Sequence, residues 1–305
     1  MWAVIIALIL LLTGCMLLER EEPHADGASH TGNSLYDNTS GGQLTDTLTV
    51  HFLDVGQGDC TFITCGDHSM LIDAGDNSKG TTVEMYLKSQ GIKKLDYVIG
   101  THPDADHIGG LDVAIYKFDC ETIILPDFEK NTATYRDVID TIKNKSYKIT
   151  RPVPGQSYRL GEAEFTIVSP VSDDYGDNAN NYSVGIRLVY GNTSFLFAGD
   201  AEEEAEEDML KSGEELSADV FKASHHGSKT SNTEEFISAV NPEYAVISCG
   251  EDNSYGHPHA QTLNTFRAMG IKVFRTDEQG AIIIKSDGRE LTFNCSPSES
   301  WKAGN

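Results

Sequence analysis

The stretch Thr101-His102-Pro103-Asp104-Ala105-Asp106-His107-Ile108-Gly109-Gly110 sets two imidazoles and two carboxylates within six residues, directly after an apolar run from Asp96 to Gly100. A residue that precedes proline is driven out of the helical region, so His102 is extended and the polar side chains fan out from a loop. Gly109 and Gly110 let backbone pass close to whatever those side chains hold. A solvated acidic turn requires neither the imidazoles nor the paired glycines. We therefore read the loop as a metal site, with His102, Asp104, Asp106 and His107 as candidate ligands.

Working outward, Thr47 to Leu53, Cys60 to Cys65 and Ser69 to Asp73 read as three short strands joined by Gly/Asp turns. A helix follows, with a capping box at Thr81 and Glu84 and a stop at Gly91. Beyond the loop, Glu121 to Leu125 is a strand, and Tyr135, Val138, Ile139 and Ile142 mark an amphipathic helix. The rhythm then repeats. Strands at Ala163 to Val168, Ser183 to Tyr190 and Thr193 to Ala198 include the hairpin turn Gly191-Asn192, and they end at Gly199-Asp200. A helix from Ala201, a strand from Asp219 to Ala223, a helix capped at Ser231, a strand from Tyr244 to Ser248, a helix around Leu263 and Phe266 and three final strands complete the chain. Two similar halves of strands with interspersed helices predict an α/β architecture of two sheets packed face to face with helices outside, a four-layer αββα sandwich.

Both ends read differently from this body. Ala3 to Leu12 is an apolar run of signal-peptide length that ends in Leu12-Thr13-Gly14-Cys15, which resembles a bacterial lipobox. Residues 1–15 are thus expected to be a lipoprotein signal with Cys15 acylated, and 16–46, poor in apolar periodicity, a flexible polar linker. The folded domain is expected over 47–295 and a disordered tail over 296–305. This arrangement places the protein outside the cytoplasm, held to the cell membrane by its lipid.

The formal net charge is −24, from 47 acids against 23 Lys plus Arg, which opposes non-specific nucleic-acid binding. Six of the seven residues from Glu202 to Asp208 are acidic. The five cysteines after Cys15 give no closed disulfide framework and no Cys-x-x-Cys.

The His-x-Asp-x-Asp-His spacing resembles the His-x-His-x-Asp-His signature of the metallo-β-lactamase superfamily, with Asp104 in place of the second His. Leu71-Ile72-Asp73-Ala74-Gly75, Phe197-Ala198-Gly199-Asp200 and Ser224-His225-His226-Gly227-Ser228 resemble further motifs of that family, in order. The resemblance implies that Asp73 orients a ligating imidazole, that Asp200 bridges two divalent metal ions, and that of His225 and His226 the latter ligates while the former faces substrate. A strand-end turn is the plain alternative for Asp73. His257, in Tyr255-Gly256-His257-Pro258-His259, is placed to donate a proton to a leaving group or to contact a phosphate. His259 reads as a surface residue at a helix start. The family's third motif has no match; Asn180-Asn181-Tyr182-Ser183 occupies its region. The site therefore has fewer nitrogen donors than usual, which moves preference from zinc toward manganese or magnesium.

Together with Asp54-Val55-Gly56-Gln57-Gly58-Asp59, these motifs resemble the soluble hydrolase domain of ComEC-type DNA-uptake proteins. That resemblance implies a metal-dependent phosphodiesterase, a nuclease acting on DNA in competence, with a channel as partner and with Asn181, Ser183, Ser228 and Lys229 offered to substrate. Lys222, Arg187 and Arg275 are further candidates to neutralise phosphate. A hydrolase for a cell-envelope phosphodiester, similar to a phosphorylcholine esterase, is the second expectation. A non-enzymatic metal-binding lipoprotein is the third.

Overall fold

A computed structural model describes residues 44–304; the expected signal segment, Cys15 and most of the linker lie outside the described residues. In chain order the elements are β1 (Leu48–Phe52), β2 (Thr61–Cys65), β3 (His68–Ile72), α1 (Gly80–Ser89), β4 (Lys94–Ile99), α2 (Ala105–Ile108), α3 (Leu111–Lys117), β5 (Asp119–Ile124), α4 (Ala133–Asn144), β6 (Ile149–Thr150), β7 (Ser157–Leu160) and β8 (Ala163–Ser169). They continue as β9 (Gly185–Tyr190), β10 (Thr193–Phe197), α5 (Glu203–Ser212), β11 (Val220–Lys222), α6 (Glu234–Val240), β12 (Tyr244–Ile247), α7 (Ala260–Ala268), β13 (Lys272–Arg275), α8 (Thr276–Gln279), β14 (Ile282–Ser286) and β15 (Leu291–Phe293).

Two sheets form, one in the order β15-β14-β1-β2-β3-β4-β5-β6 and one in the order β13-β12-β11-β10-β9-β8-β7. Each changes character along its width. In the first, β1, β2 and β3 form an antiparallel meander, while β3 to β6 run parallel. In the second, β7 to β10 are antiparallel, and β10 to β13 parallel. The Gly191-Asn192 turn joins β9 to β10 with Tyr190 opposite Thr193.

The alternation of side chains along each strand accounts for the layers. One face of each sheet meets the other sheet, with Phe52, Ile63 and Met70 against Phe165, Leu188 and Phe197 in one buried cluster. Phe52 and Phe197 stack across it with ring centroids 6.0 Å apart. The outer face of the first sheet carries α1, α3 and α4 through Val83, Leu87, Leu111, Ile115, Val138 and Ile142. That of the second carries α5, α6 and α7 through Met209, Phe236, Ile237, Leu263 and Phe266. Three apolar interfaces between four layers make the expected αββα sandwich, and each fully buried Leu, Ile or Phe contributes about 1.5–3 kcal/mol.

Several boundaries differ from the expectation. Residues 296–304 are packed, not a loose tail: Ser298 N–H donates to the Val273 carbonyl at 2.7 Å, Arg275 reaches the Lys302 carbonyl at 2.6 Å, and Trp301 lies against the outer core. An edge strand in need of donors and an aromatic anchor hold this segment. At the other end, Thr45 and Asp46 already give their amides to Glu162, so the folded body starts before residue 47. Helix α1 begins at Gly80 with no side-chain cap, and α6 is capped by Thr233, which accepts from Phe236 N–H at 3.3 Å, not by Ser231. Among the described residues no helix is long and apolar enough to cross a membrane, and the five cysteines are free.

Candidate metal centre

The site gathers at the carboxyl ends of β1, β3, β4, β10, β11 and β12, where strands of both sheets release their loops. Asp59 and Asp73 come from the antiparallel part of the first sheet, and His102, Asp106 and His107 follow β4. Asp200 follows β10, His225 and His226 follow β11, and His257 follows β12. The loop after β4 is short because α2 starts at once, and its approach depends on Gly109, where a Cβ would meet Asn77 N at 2.3 Å.

Asp200 is the hub. Its Oδ2 lies 3.2 Å from His107 Nε2, 3.5 Å from His226 Nε2, 3.8 Å from His225 Nε2 and 3.9 Å from His102 Nε2. Its other oxygen is buried without a hydrogen-bond partner. His107 Nδ1 faces the Asp73 carboxylate at 2.7 Å, and His226 Nδ1 faces the Ser248 carbonyl at 2.9 Å. With both Nδ1 atoms committed to acceptors, two bare Nε2 lone pairs meet across 3.3 Å. Protein groups alone relieve that contact only by taking up protons. Burial opposes a proton on His226, but Asp200, Asp59 and Asp106 outweigh it and push its pKa up to about 10; His107 is likewise raised by Asp200 and Asp73 against burial. Asp200 itself is held well below the usual carboxylate range, because His107 and His226 outweigh its burial.

A cation fits this arrangement better than protons do. The separations among His107 Nε2, His226 Nε2 and Asp200 Oδ2 are 3.2, 3.3 and 3.5 Å, and Asp106 Oδ2 lies 3.4 Å from His226 Nε2. Ligands about 2.0–2.2 Å from one tetrahedral ion stand roughly 3.3–3.6 Å apart. Among the described residues, donor atoms of Asp59, His107, Asp200 and His226 also converge within 4.8 Å of one another. Asp59, however, lies on the Nδ1 side of His226, at 3.2 Å, and its second oxygen is bound by the buried Lys222 ammonium at 2.6 Å. It therefore faces the back of the imidazole that would ligate through Nε2. Lys222 and His226 overcome burial and lower the Asp59 pKa to about 2.

The remaining candidates divide between the centre and its frame. His102 is buried, with Nδ1 3.1 Å from Thr101 Oγ1; burial and then His107 lower its pKa to about 4, which leaves it neutral. Asp73 accepts from the amide and hydroxyl of Thr101 as well as facing His107. His225 is partly exposed and pairs through Nδ1 with Glu202 at 3.2 Å, which holds Glu202 down to about 2. His225 and His226 both have positive φ, 50° and 54°, a costly backbone for such residues. Asn232 clamps the strained turn: it accepts from Ser224 N–H and donates to the Ser224 and Ser228 carbonyls.

Asp104 does not join the centre. Its carboxylate pairs with Lys130 at 2.5 Å, because Asp104 caps α2 and its side chain leaves the loop on the side of Lys130. Of Asn181 and Ser183, expected to face substrate, Ser183 is buried in the frame and accepts from Asp200 N–H at 3.0 Å, while Asn181 accepts from Glu202 N–H, donates to Glu204 and lines the cavity beside the centre. Ser228 is buried beside Thr230. Lys222 and Arg275 are consumed by buried pairs with Asp59 and Asp277, and Arg187 donates to the Ser217 carbonyl. Lys229 lines a cavity next to the centre, about 650 Å³, with Glu202, Glu203, Glu204 and Glu207 around it. His259, read as a surface residue, accepts from Lys229 N–H at 3.0 Å. Sequence reasoning missed Asp59 as a partner of His226, Glu202, Asn232 and Lys130; of these Asp59 and Glu202 carried a signal, each as the last residue of a matched motif, Asp54 to Asp59 and Phe197 to Glu202.

Fold and centre define a metal-dependent hydrolase. The sequence profile of the Metallo-beta-lactamase superfamily matches residues 53–251, and the chain belongs to that superfamily. It is 31% identical over 266 residues to "ComE operon protein 3" of Bacillus subtilis (strain 168), covering 81% of this chain and 34% of that protein. It is 32% identical over 233 residues to "Competence protein ComA" of Neisseria gonorrhoeae, covering 75% of this chain and 31% of that one. Both are competence proteins, as the motif order implied, and the chain spans about a third of their length. Among solved structures, the "metallo-beta-lactamase fold protein YhfI" from Bacillus subtilis aligns with a TM-score of 0.53 at 14% identity, covering 79% of this chain and 100% of that one, a likeness of fold.

Proposed function

We propose that this hydrolase is a phosphodiesterase, a nuclease that acts on DNA outside the cytoplasmic membrane in competence. The observation that carries the reading is the Asp200 carboxylate, with one oxygen facing four imidazole nitrogens within 3.9 Å and the other buried and unpartnered. His107, His226, Asp106 and Asp200 would hold one divalent cation, with His102 and His225 flanking Asp200 toward a second. Such ions, manganese or zinc, supply Lewis acidity and a nucleophile at neutral pH. The missing third-motif histidine, which leaves one nitrogen donor fewer than the family's usual site, supports manganese over zinc. His257, buried beside His225 and His226 with ring centroids 5.4 and 5.9 Å away, is the group that would meet a phosphoryl or leaving-group oxygen. Lys229 stands at the rim to receive phosphate. The competence relatives support DNA as substrate, an uptake channel as partner and an envelope location, and the lipobox-like Cys15 supports a lipid anchor.

One observation favours a second substrate. Four glutamates line the cavity beside the centre against one lysine, which disfavours a polyanion and suits a cell-envelope phosphodiester with fewer charges or a cationic group. Purified protein lacking residues 1–43, loaded with manganese, zinc or magnesium, is to be given single-stranded DNA, duplex DNA and a choline phosphodiester. Cleavage of DNA, fastest with manganese, supports the reading; cleavage confined to the choline ester favours the second substrate, and turnover of none sinks the enzymatic reading.

A further inference from the structure

We propose that Gln57 is a positioning residue that fixes the ring proton of His257 on Nε2, so that His257 meets the substrate as a neutral hydrogen-bond donor and transfers no proton. This rests on the phosphodiesterase reading above and sharpens the part His257 plays in it. The argument comes from donor and acceptor counting. Gly250 N–H can only donate, and it meets the Gln57 side chain at 3.2 Å, so that end of the amide is the oxygen. The amide nitrogen is then the end that lies 3.3 Å from His257 Nδ1. An NH2 group can only donate, so Nδ1 must accept, and the ring carries its hydrogen on Nε2. An imidazolium would set an Nδ1–H against the amide N–H and is disfavoured by the same contact.

The rest of the loop leaves the ring little freedom to escape. Asn253 accepts from His257 N–H at 3.0 Å and donates to its carbonyl at 2.6 Å. Tyr255 stacks on the ring, 5.7 Å between centroids at 18°. Gln57 and His257 come from opposite halves of the fold, and their loops meet because residue 250 is glycine: a Cβ there would stand 2.6 Å from Gln57 N. A neutral imidazole with a fixed N–H stabilises charge that develops on an oxygen without needing to be charged itself.

Gln57→Glu is nearly isosteric and still accepts from Gly250 N–H, but it offers His257 an acceptor where the native residue offers a donor. In that variant the neutral ring carries its proton on Nδ1, and Nε2 has none to offer. On a substrate with a poor leaving group Gln57→Glu is expected to lose about 10²-fold in kcat near about pH 9, the usual cost of one lost donor, with KM and metal content unchanged. Long-range 1H–15N spectra of the zinc-loaded protein, with His257 assigned against His257→Asn, should show Nε2–H in the native ring and Nδ1–H in Gln57→Glu at high pH. A native ring protonated on Nδ1 overturns the proposal, as does a Gln57→Glu enzyme with native kcat at about pH 9. Absence of phosphodiester cleavage in the native protein counts against the function proposed above, and the spectra then still decide for or against Gln57.

Discussion

The two halves of the fold contribute to the centre in different ways. The loop after β4 delivers His102, Asp106 and His107 as consecutive neighbours, stabilised locally by the start of α2 and by paired glycines. The second half delivers Asp200, His225, His226 and His257 from three separate strand ends, and each is held by a side chain outside its own turn: Ser183 from an earlier loop for the Asp200 amide, Asn232 from a few residues onward for the strained His225-His226 turn, and for His257 both Asn253 of its own loop and Gln57 from the first half. A local motif can be rigid by itself, whereas dispersed ligands need a built frame, and disturbance of that frame should cost nearly as much as disturbance of a ligand.

Five substitutions test that contrast, from the largest effect to the smallest. Asp200→Asn removes the charge that faces four imidazoles, so metal content and hydrolysis should vanish together, as elemental analysis and an esterase assay would register. Asn232→Ala in the second half should leave the Ser224 N–H buried and unpaired, at about 1–3 kcal/mol, and strip a donor from the Ser224 carbonyl, while the Ser228 carbonyl keeps its bond from the Thr262 hydroxyl. It is expected to lower the melting temperature and to weaken metal affinity by roughly 10–100-fold. Asp73→Asn, its counterpart in the first half, should cost a similar factor in affinity; a calorimetric titration in which only one of the two variants is affected would break the comparison. Glu206, buried between α5 and the Asn232-Thr233 amides, has its pKa raised to about 7 by burial. A folded pKa above the unfolded 4.5 means that the folded state binds the proton more tightly, so stability should fall as pH rises from about 4.5 to about 7, by on the order of 3 kcal/mol. Denaturation curves of Glu206→Gln should lose that slope. Asp104→Ala, finally, should change metal content little, since only the half-exposed pair with Lys130 is lost.

Much of this molecule was legible before any coordinates. Strand periods, the Gly191-Asn192 hairpin and the order of motifs sufficed for the four layers, because apolar alternation reports directly which face is buried. The ligand loop was legible from its own imidazoles and carboxylates, and the pairing of Asp73 with an imidazole only from the resemblance of Leu71-Ile72-Asp73-Ala74-Gly75 to a family motif. Asp104 was misread because spacing alone does not reveal which way a side chain leaves a loop; a lysine 26 residues onward draws it aside. Asn181 and Ser183 stood where the family has a ligand and were read as facing substrate, yet burial turns Ser183 into the frame of Asp200, and Asn181 holds Glu202 while it lines the cavity. Lys222 looked like a phosphate ligand until its partner Asp59, far earlier in the chain, was seen to bury it. The packed segment at 296–304 was missed because its polar composition hides one anchoring tryptophan, Trp301.

The central claim is that the cluster around Asp200 holds the cation on which phosphodiester hydrolysis depends. It is tested most directly by titrating manganese into metal-stripped native protein and Asp200→Asn while following cleavage of a single-stranded oligonucleotide in the same samples. The account predicts saturable binding and cleavage that rise together in the native protein, with both absent in Asp200→Asn. Full manganese binding by Asp200→Asn, or undiminished cleavage by the metal-stripped native protein, would contradict it.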